Sequence, residues 1–117
     1  MRSEPLLAWQ WNLYPAGHRD RTNLAIHIVT QLLFVAGLAA AIAALPVGRS
    51  WLLAAGPVAM VIAIVLQGRG HRREATAPVP FEGPLDVVAR LFVEQLVTFP
   101  RFVLSGGWVR AWRASSP

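Results

Sequence analysis

The chain has 117 residues, enough for a single domain. Hydrophobic residues make up 55% and charged residues 15%, against roughly a quarter charged in an average soluble domain, so a water-soluble fold of this size would lack polar cover. Cysteine is absent, which excludes disulfides, zinc–thiolate sites and iron–sulfur clusters.

The net charge of +5 comes from eleven arginines and no lysine. They form no phosphate-tracking stripe with interleaved aromatics, so no nucleic-acid partner is expected. They flank apolar segments instead, where arginine sets topology and attracts anionic membrane lipids.

Residues 1–22 read as an N-terminal segment outside the membrane. Glu4, Trp9 and Trp11 interrupt it, so no secretory signal is expected there. Asp20 or Thr22 is placed to cap a helix. Residues 23–45 form the first expected span: Leu24 to Leu45 is apolar apart from a few polar side chains and covers roughly 33 Å as a helix. After the loop Pro46–Ser50, residues 51–67 form a second span, with Trp51 at the interface and Gly56-Pro57 expected to kink it. Residues 68–83 carry a polar motif and a proline-rich linker. Residues 84–105 read as an amphipathic interfacial helix, with Pro84 at its first position and Asp86, Arg90 and Glu94 spaced for i,i+4 pairs. Leu85, Val88, Leu91, Phe92, Leu96 and Phe99 supply its apolar surface. Residues 106–117 form a tail with Trp108 and Trp112 among arginines.

The expected fold is therefore all-α: a single membrane domain over 1–117, made of a two-span helical hairpin and a C-terminal amphipathic helix. Arg2, Arg19 and Arg21 precede the first span, Arg69, Arg72 and Arg73 follow the second, and only Arg49 lies between. The positive-inside rule puts both termini in the cytoplasm. Two spans make a thin bundle, and a homodimer burying the Gly37 and Ala-rich face is one expectation.

Polar residues inside a span are costly and mark function by default. Asn23, His27 and Gln31 fall at i, i+4 and i+8, with Thr30 beside them, so they share one helix face. His18 lies before the helix and must reach back from the loop. Beyond the second span, Gln67, His71 and Glu74 share a face if the helix continues. A hairpin sets the start of its first helix beside the end of its second, so His18, Asn23 and His27 should approach Gln67, His71 and Glu74. Imidazole and carboxylate donors suit zinc, iron, nickel or copper, and histidines plus a carboxylate with open positions suit non-haem iron(II). Ser50, Ser105, Ser115 and Ser116 lie far from this group, so nucleophilic catalysis is not expected. Gly68-Arg69-Gly70 is too short for a phosphate loop.

Tyr14, His18-x4-Asn23-x3-His27 and Gln67-x2-Gly70-His71-x2-Glu74-x3-Pro78 together resemble a family of small membrane proteins whose fungal member is the 2-hydroxy fatty acid dioxygenase of phytosphingosine breakdown. The resemblance covers about residues 10 to 105, and the ending FVEQLVTFPRFVLSGGW is similar to its short bacterial branch, which points to a bacterial inner membrane. It implies an iron(II)-dependent enzyme that oxidises a long-chain 2-hydroxy fatty acid with dioxygen, releasing carbon dioxide and an acid one carbon shorter. It implies His18, His27 and His71 as iron ligands, and Glu74 as a fourth ligand or a partner of one. Asn23 and Gln67 would orient the ligands, and Tyr14 would donate a hydrogen bond near the metal. The chain departs from the fungal pattern in having Arg19 where a second histidine follows the first, and one residue fewer between His71 and Glu74. Two other readings fit the same residues: a non-catalytic lipid-binding protein whose polar residues lock the hairpin, and a bis-histidine haem protein.

Overall fold

A computed structural model describes residues 2–116, and every regular element among them is helical. α1 spans Leu6–Leu13 and runs into a 3-10 turn, Pro15–Gly17. Asp20 then caps α2, Arg21–Val47, by accepting from the Asn23 backbone N–H at 2.9 Å. Gly48 ends that helix in the left-handed region (φ 76°), its N–H turned back to Ala44 and Leu45 carbonyls. α3, Leu52–His71, follows after a tight turn and runs through Gly68-Arg69-Gly70, so it is longer than the apolar run that announces it.

α2 and α3 pack antiparallel along their length. Thr30 meets Gln67 near one end, and Gly37 meets Gly56 toward the other. A Cβ built on Gly37 would stand 2.6 Å from the Gly56 carbonyl, and one on Gly56 would stand 2.5 Å from the Gly37 carbonyl. The two backbones therefore touch where neither residue has a side chain. The Gly37 face expected to meet a second copy is thus spent inside the chain. Both helices are long and apolar enough to cross a membrane, and their outward faces expose Val29, Leu32, Ile42, Val58, Val61 and Val65.

The third helical stretch is not one regular helix. α4, Pro84–Val93, passes into a π-helical turn over Glu94–Thr98 and then into α5, Phe99–Leu104. Pro100 explains the change of winding. It has no N–H to give, so the turn before it widens and the Phe99 N–H reaches back five residues to the Glu94 carbonyl. The Gln95 carbonyl would look to Pro100 in that register and accepts instead from the Gln31 side chain at 3.0 Å. The wider turn points Glu94, Gln95 and Thr98 inward together, with Gln95 and Thr98 fully buried. Leu85, Val88 and Leu96 face outward, the reverse of a helix on a water-soluble core. Of the expected apolar surface, Phe99 is buried and Phe92 stands edge-on to Phe34.

α6, Gly107–Ala114, closes on the start of α2. Trp108 donates its indole N–H to the Leu24 carbonyl at 3.0 Å, and the Arg21 guanidinium lies 4.6 Å over the Trp112 ring. Tyr14, Leu24, Phe99 and Phe102 form the apolar cluster between these elements.

Candidate metal centre

The three histidines meet. His18 follows the 3-10 turn, His27 lies two turns into α2, and His71 ends α3. Their rings stand 4.7 Å (His18–His27), 4.9 Å (His18–His71) and 4.8 Å (His27–His71) apart between centroids, each pair nearly perpendicular. Between rings so close there is no slot for a porphyrin, so the bis-histidine haem arrangement does not fit. Glu94 joins them from the π-helical turn. One ligand atom from each of the four residues lies within 4.8 Å of all the others.

Hydrogen bonding fixes how two of the rings present themselves. His18 Nδ1 sits 2.8 Å from the Tyr14 carbonyl, and His27 Nδ1 sits 3.1 Å from the Asn23 carbonyl. A carbonyl only accepts, so each Nδ1 carries the proton and each Nε2 presents its lone pair. Both Nε2 atoms are buried without a hydrogen-bond partner, as is His71 Nδ1. Each Nε2 faces Glu94 Oε2 at 3.6 Å, too far for a hydrogen bond. Lone pairs and a carboxylate gathered in a buried space repel one another unless a cation lies among them. A metal ion meets that requirement, and the donor set suits one.

The surroundings stiffen the group. Tyr14 donates its hydroxyl to Glu94 at 2.9 Å and stacks on His18 with centroids 3.8 Å apart and planes 14° apart. Burial, reinforced by the Glu94 charge, pushes the Tyr14 phenol up, so it remains a donor.

Not every expected site residue is in this group. Glu74 is committed elsewhere: its carboxylate accepts from the backbone N–H groups of Arg19 and Asp20, both at 2.9 Å, and from Asn23 Nδ2 at 2.7 Å. The carboxylate among the histidines is Glu94. Asn23 orients His27 through its carbonyl, while its amide serves Glu74. The Gln67 side chain makes no hydrogen bond to the histidines. It exchanges two hydrogen bonds with Gln95, of 3.0 and 2.7 Å, and donates to Thr30 at 3.0 Å, tying α2, α3 and the π-helical turn together. Arg73 pairs with Asp20 at 3.1 Å. Arg90, expected midway in an Asp86–Arg90–Glu94 ladder, pairs with Asp86 only. The sequence presents Glu94 only as an i,i+4 partner of Arg90, because an α-helical register puts it one turn beyond that residue. Its one distinguishing signal is the polar run Glu94-Gln95 and Thr98 placed just before Pro100.

The fold and the site together define an all-α protein with a partly buried three-histidine, one-carboxylate group able to hold a metal ion. No protein-family model, curated protein or solved structure matches the chain.

Proposed function

We propose that the chain is an integral membrane protein crossing the bilayer twice as a hairpin, with both termini cytoplasmic, and that it is an iron(II)-dependent dioxygenase acting on a long-chain 2-hydroxy fatty acid. The arginines at the outer ends of α2 and α3 support the orientation, and a bacterial inner membrane is the location this reading carries. The outward Leu85, Val88 and Leu104 support an interfacial position for the C-terminal helices. The observation that carries the enzymatic reading is the gathering of three histidines, each with a buried unpartnered ring nitrogen, around the Glu94 carboxylate. His18, His27, His71 and Glu94 would hold the iron. Bound iron(II) supplies the one-electron chemistry that lets dioxygen react with a closed-shell hydroxy acid.

Hydroxy acid plus dioxygen gives the shorter acid, carbon dioxide and water. The bond between the carboxyl carbon and the hydroxyl-bearing carbon breaks, and the electrons those carbons lose equal those that dioxygen gains. No further reductant is needed. Within this scheme Tyr14 keeps Glu94 and His18 in place, and the surrounding Phe99 and Phe102 exclude water. A non-catalytic protein whose polar residues only lock the helices accounts for Asn23, Glu74, Gln67 and Gln95 but leaves the free histidine nitrogens unexplained.

The test is elemental analysis of detergent-purified protein, wild type and His27→Ala/His71→Ala, followed by mass spectrometry of products from 2-hydroxyhexadecanoic acid under oxygen. Near-stoichiometric iron lost in the variant, with a one-carbon-shorter acid formed by the wild type, is expected. Absence of metal after anaerobic reconstitution with iron(II) would sink the reading.

A further inference from the structure

A cavity of about 300 Å³ opens directly beside the histidine group. His18, His71 and Glu94 give it a polar end, and the rest is mostly apolar, with Leu13, Ile64, Val79, Phe81 and Leu91 on its walls beside the polar Gln10, Gln67, Thr76 and Arg90. Its rim is apolar as well: Leu13, Val79 and Phe81 are each close to half exposed. On α3, Ile64 continues one turn back to the exposed Val61, so an apolar stripe runs from the outer surface of the long helices into the cavity.

Two glycines make the room. Gly17 and Gly68 both line the cavity, and a Cβ built on either meets nothing within 4 Å. Neither has the positive φ that would require glycine. Gly68 even weakens the helix that contains it. Gly37, Gly56 and Gly70 are different, since a Cβ on each would strike the opposing helix. What the missing side chains of Gly17 and Gly68 provide is open space between the cluster and the apolar rim.

We infer that this cavity seats a single acyl chain, with a carboxylate head at the His18–His71–Glu94 end and the tail leaving past Ile64 and Val61 toward lipid. The assignment of the head end rests on the oxidation reading above; the seat for the chain does not. A polar end, mostly apolar walls and an apolar rim match a long-chain fatty acid entering from a membrane rather than a soluble metabolite entering from water. The wall formed by residues 76–81 covers the chain from outside.

The experiment uses the full chain in lipid nanodiscs, with and without iron(II) added anaerobically, labelled by a palmitic acid carrying a mid-chain diazirine and mapped by peptide mass spectrometry. Label competed by excess 2-hydroxyhexadecanoic acid should fall on Leu13, Ile64 and Val79–Phe81, whereas label on the outward Val29 or Val58 should not be competed. Gly68→Leu and Gly17→Leu should each reduce the competed label about tenfold, with helical content by circular dichroism unchanged. Competed label at wild-type level in both variants, or none in the cavity, overturns the inference. Equal competition by a lysophospholipid overturns the fatty-acid assignment. Competed label in the cavity of protein that takes up no iron on reconstitution and forms no shorter acid leaves the inference standing and removes the oxidation reading; turnover without such label does the reverse.

Discussion

Asn23 and Glu74 join the two long helices at the end where the histidines lie: the Asn23 amide donates to the Glu74 carboxylate at 2.7 Å, and the same carboxylate caps the backbone N–H groups of Arg19 and Asp20. Gly70 makes the approach possible, because a Cβ there would collide with the Asn23 side-chain oxygen. Glu74 thus fixes the loop that carries His18. Glu74→Ala should cost ~1–3 kcal/mol, chiefly through the buried Asn23 amide left without its partner, read as a lower unfolding midpoint in detergent. Metal stoichiometry at saturating metal should persist, since Glu74 is not among the converging donors. Loss of metal with an unchanged midpoint would contradict this division of roles.

Glu94 and Tyr14 give the complementary case. Glu94→Gln keeps the size of the side chain and removes its charge, so it should lose bound metal while the helices stay paired. Tyr14→Phe removes one hydrogen bond to Glu94 but preserves the stacking on His18 and the carbonyl that holds His18 Nδ1. A drop in metal affinity of about 10–100-fold is expected, measured by competition with a chelator of known affinity. Tyr14→Ala should do more damage than Tyr14→Phe; equal effects would mean that the stacking contributes nothing.

How far the site could be read from residues alone follows from the same interactions. The Asn23-His27-Gln31 stripe has helical spacing, and antiparallel packing of two apolar runs brings His71 to His27, so the three histidines are legible. The loop position of His18 follows from its nine-residue separation from His27. Glu94 is not legible, because an α-helical register pairs it with Arg90 and nothing local announces a π-helical turn beyond its nearness to Pro100. The Gln67–Gln95 exchange is hidden for the same reason: it depends on where the third helical stretch folds back. Gly37 misleads in another way, since small residues on an apolar helix suit a partner in the same chain as well as one in a second copy.

Gly37 and Gly56 set the distance between α2 and α3. Gly37→Ala and Gly56→Ala each force a Cβ against a backbone carbonyl that cannot turn aside, so both should destabilise the pair by about 1–3 kcal/mol. Gly68→Ala places its Cβ in open space within a helix and should stabilise by ~0.5–1 kcal/mol. Unfolding of the three variants in a mixed-micelle SDS titration tests the contrast. The same sign for all three would show that backbone contact between α2 and α3 does not govern stability.

Asp86 anchors the segment that walls the cavity. Its carboxylate accepts from Arg2 at 2.7 Å, from the Glu82 backbone N–H at 3.0 Å and from Arg90 at 3.4 Å. Arg90 in turn donates to the Val79 carbonyl at 2.8 Å and the Pro80 carbonyl at 3.2 Å, and lies 4.3 Å over the Phe81 ring. The hydrogen bond from Arg2, then that from Glu82, lowers the Asp86 pKa from 3.8 to about 2. A carboxyl depressed by folding stabilises above its unfolded value and ceases to do so as pH falls through its folded value. The wall should therefore stay fastened from neutral pH down to about 4 and loosen between about 4 and 2. Because the chain has no cysteine, a spin label on Ala77→Cys reports this segment alone. Its spectrum should sharpen in that acid window, and should already be sharp at pH 7 when Asp86→Asn or Arg90→Gln is added. Sharpening that begins above pH 5, or a spectrum unmoved by either substitution, would show that the wall is held by its apolar contacts and not by Asp86 and Arg90.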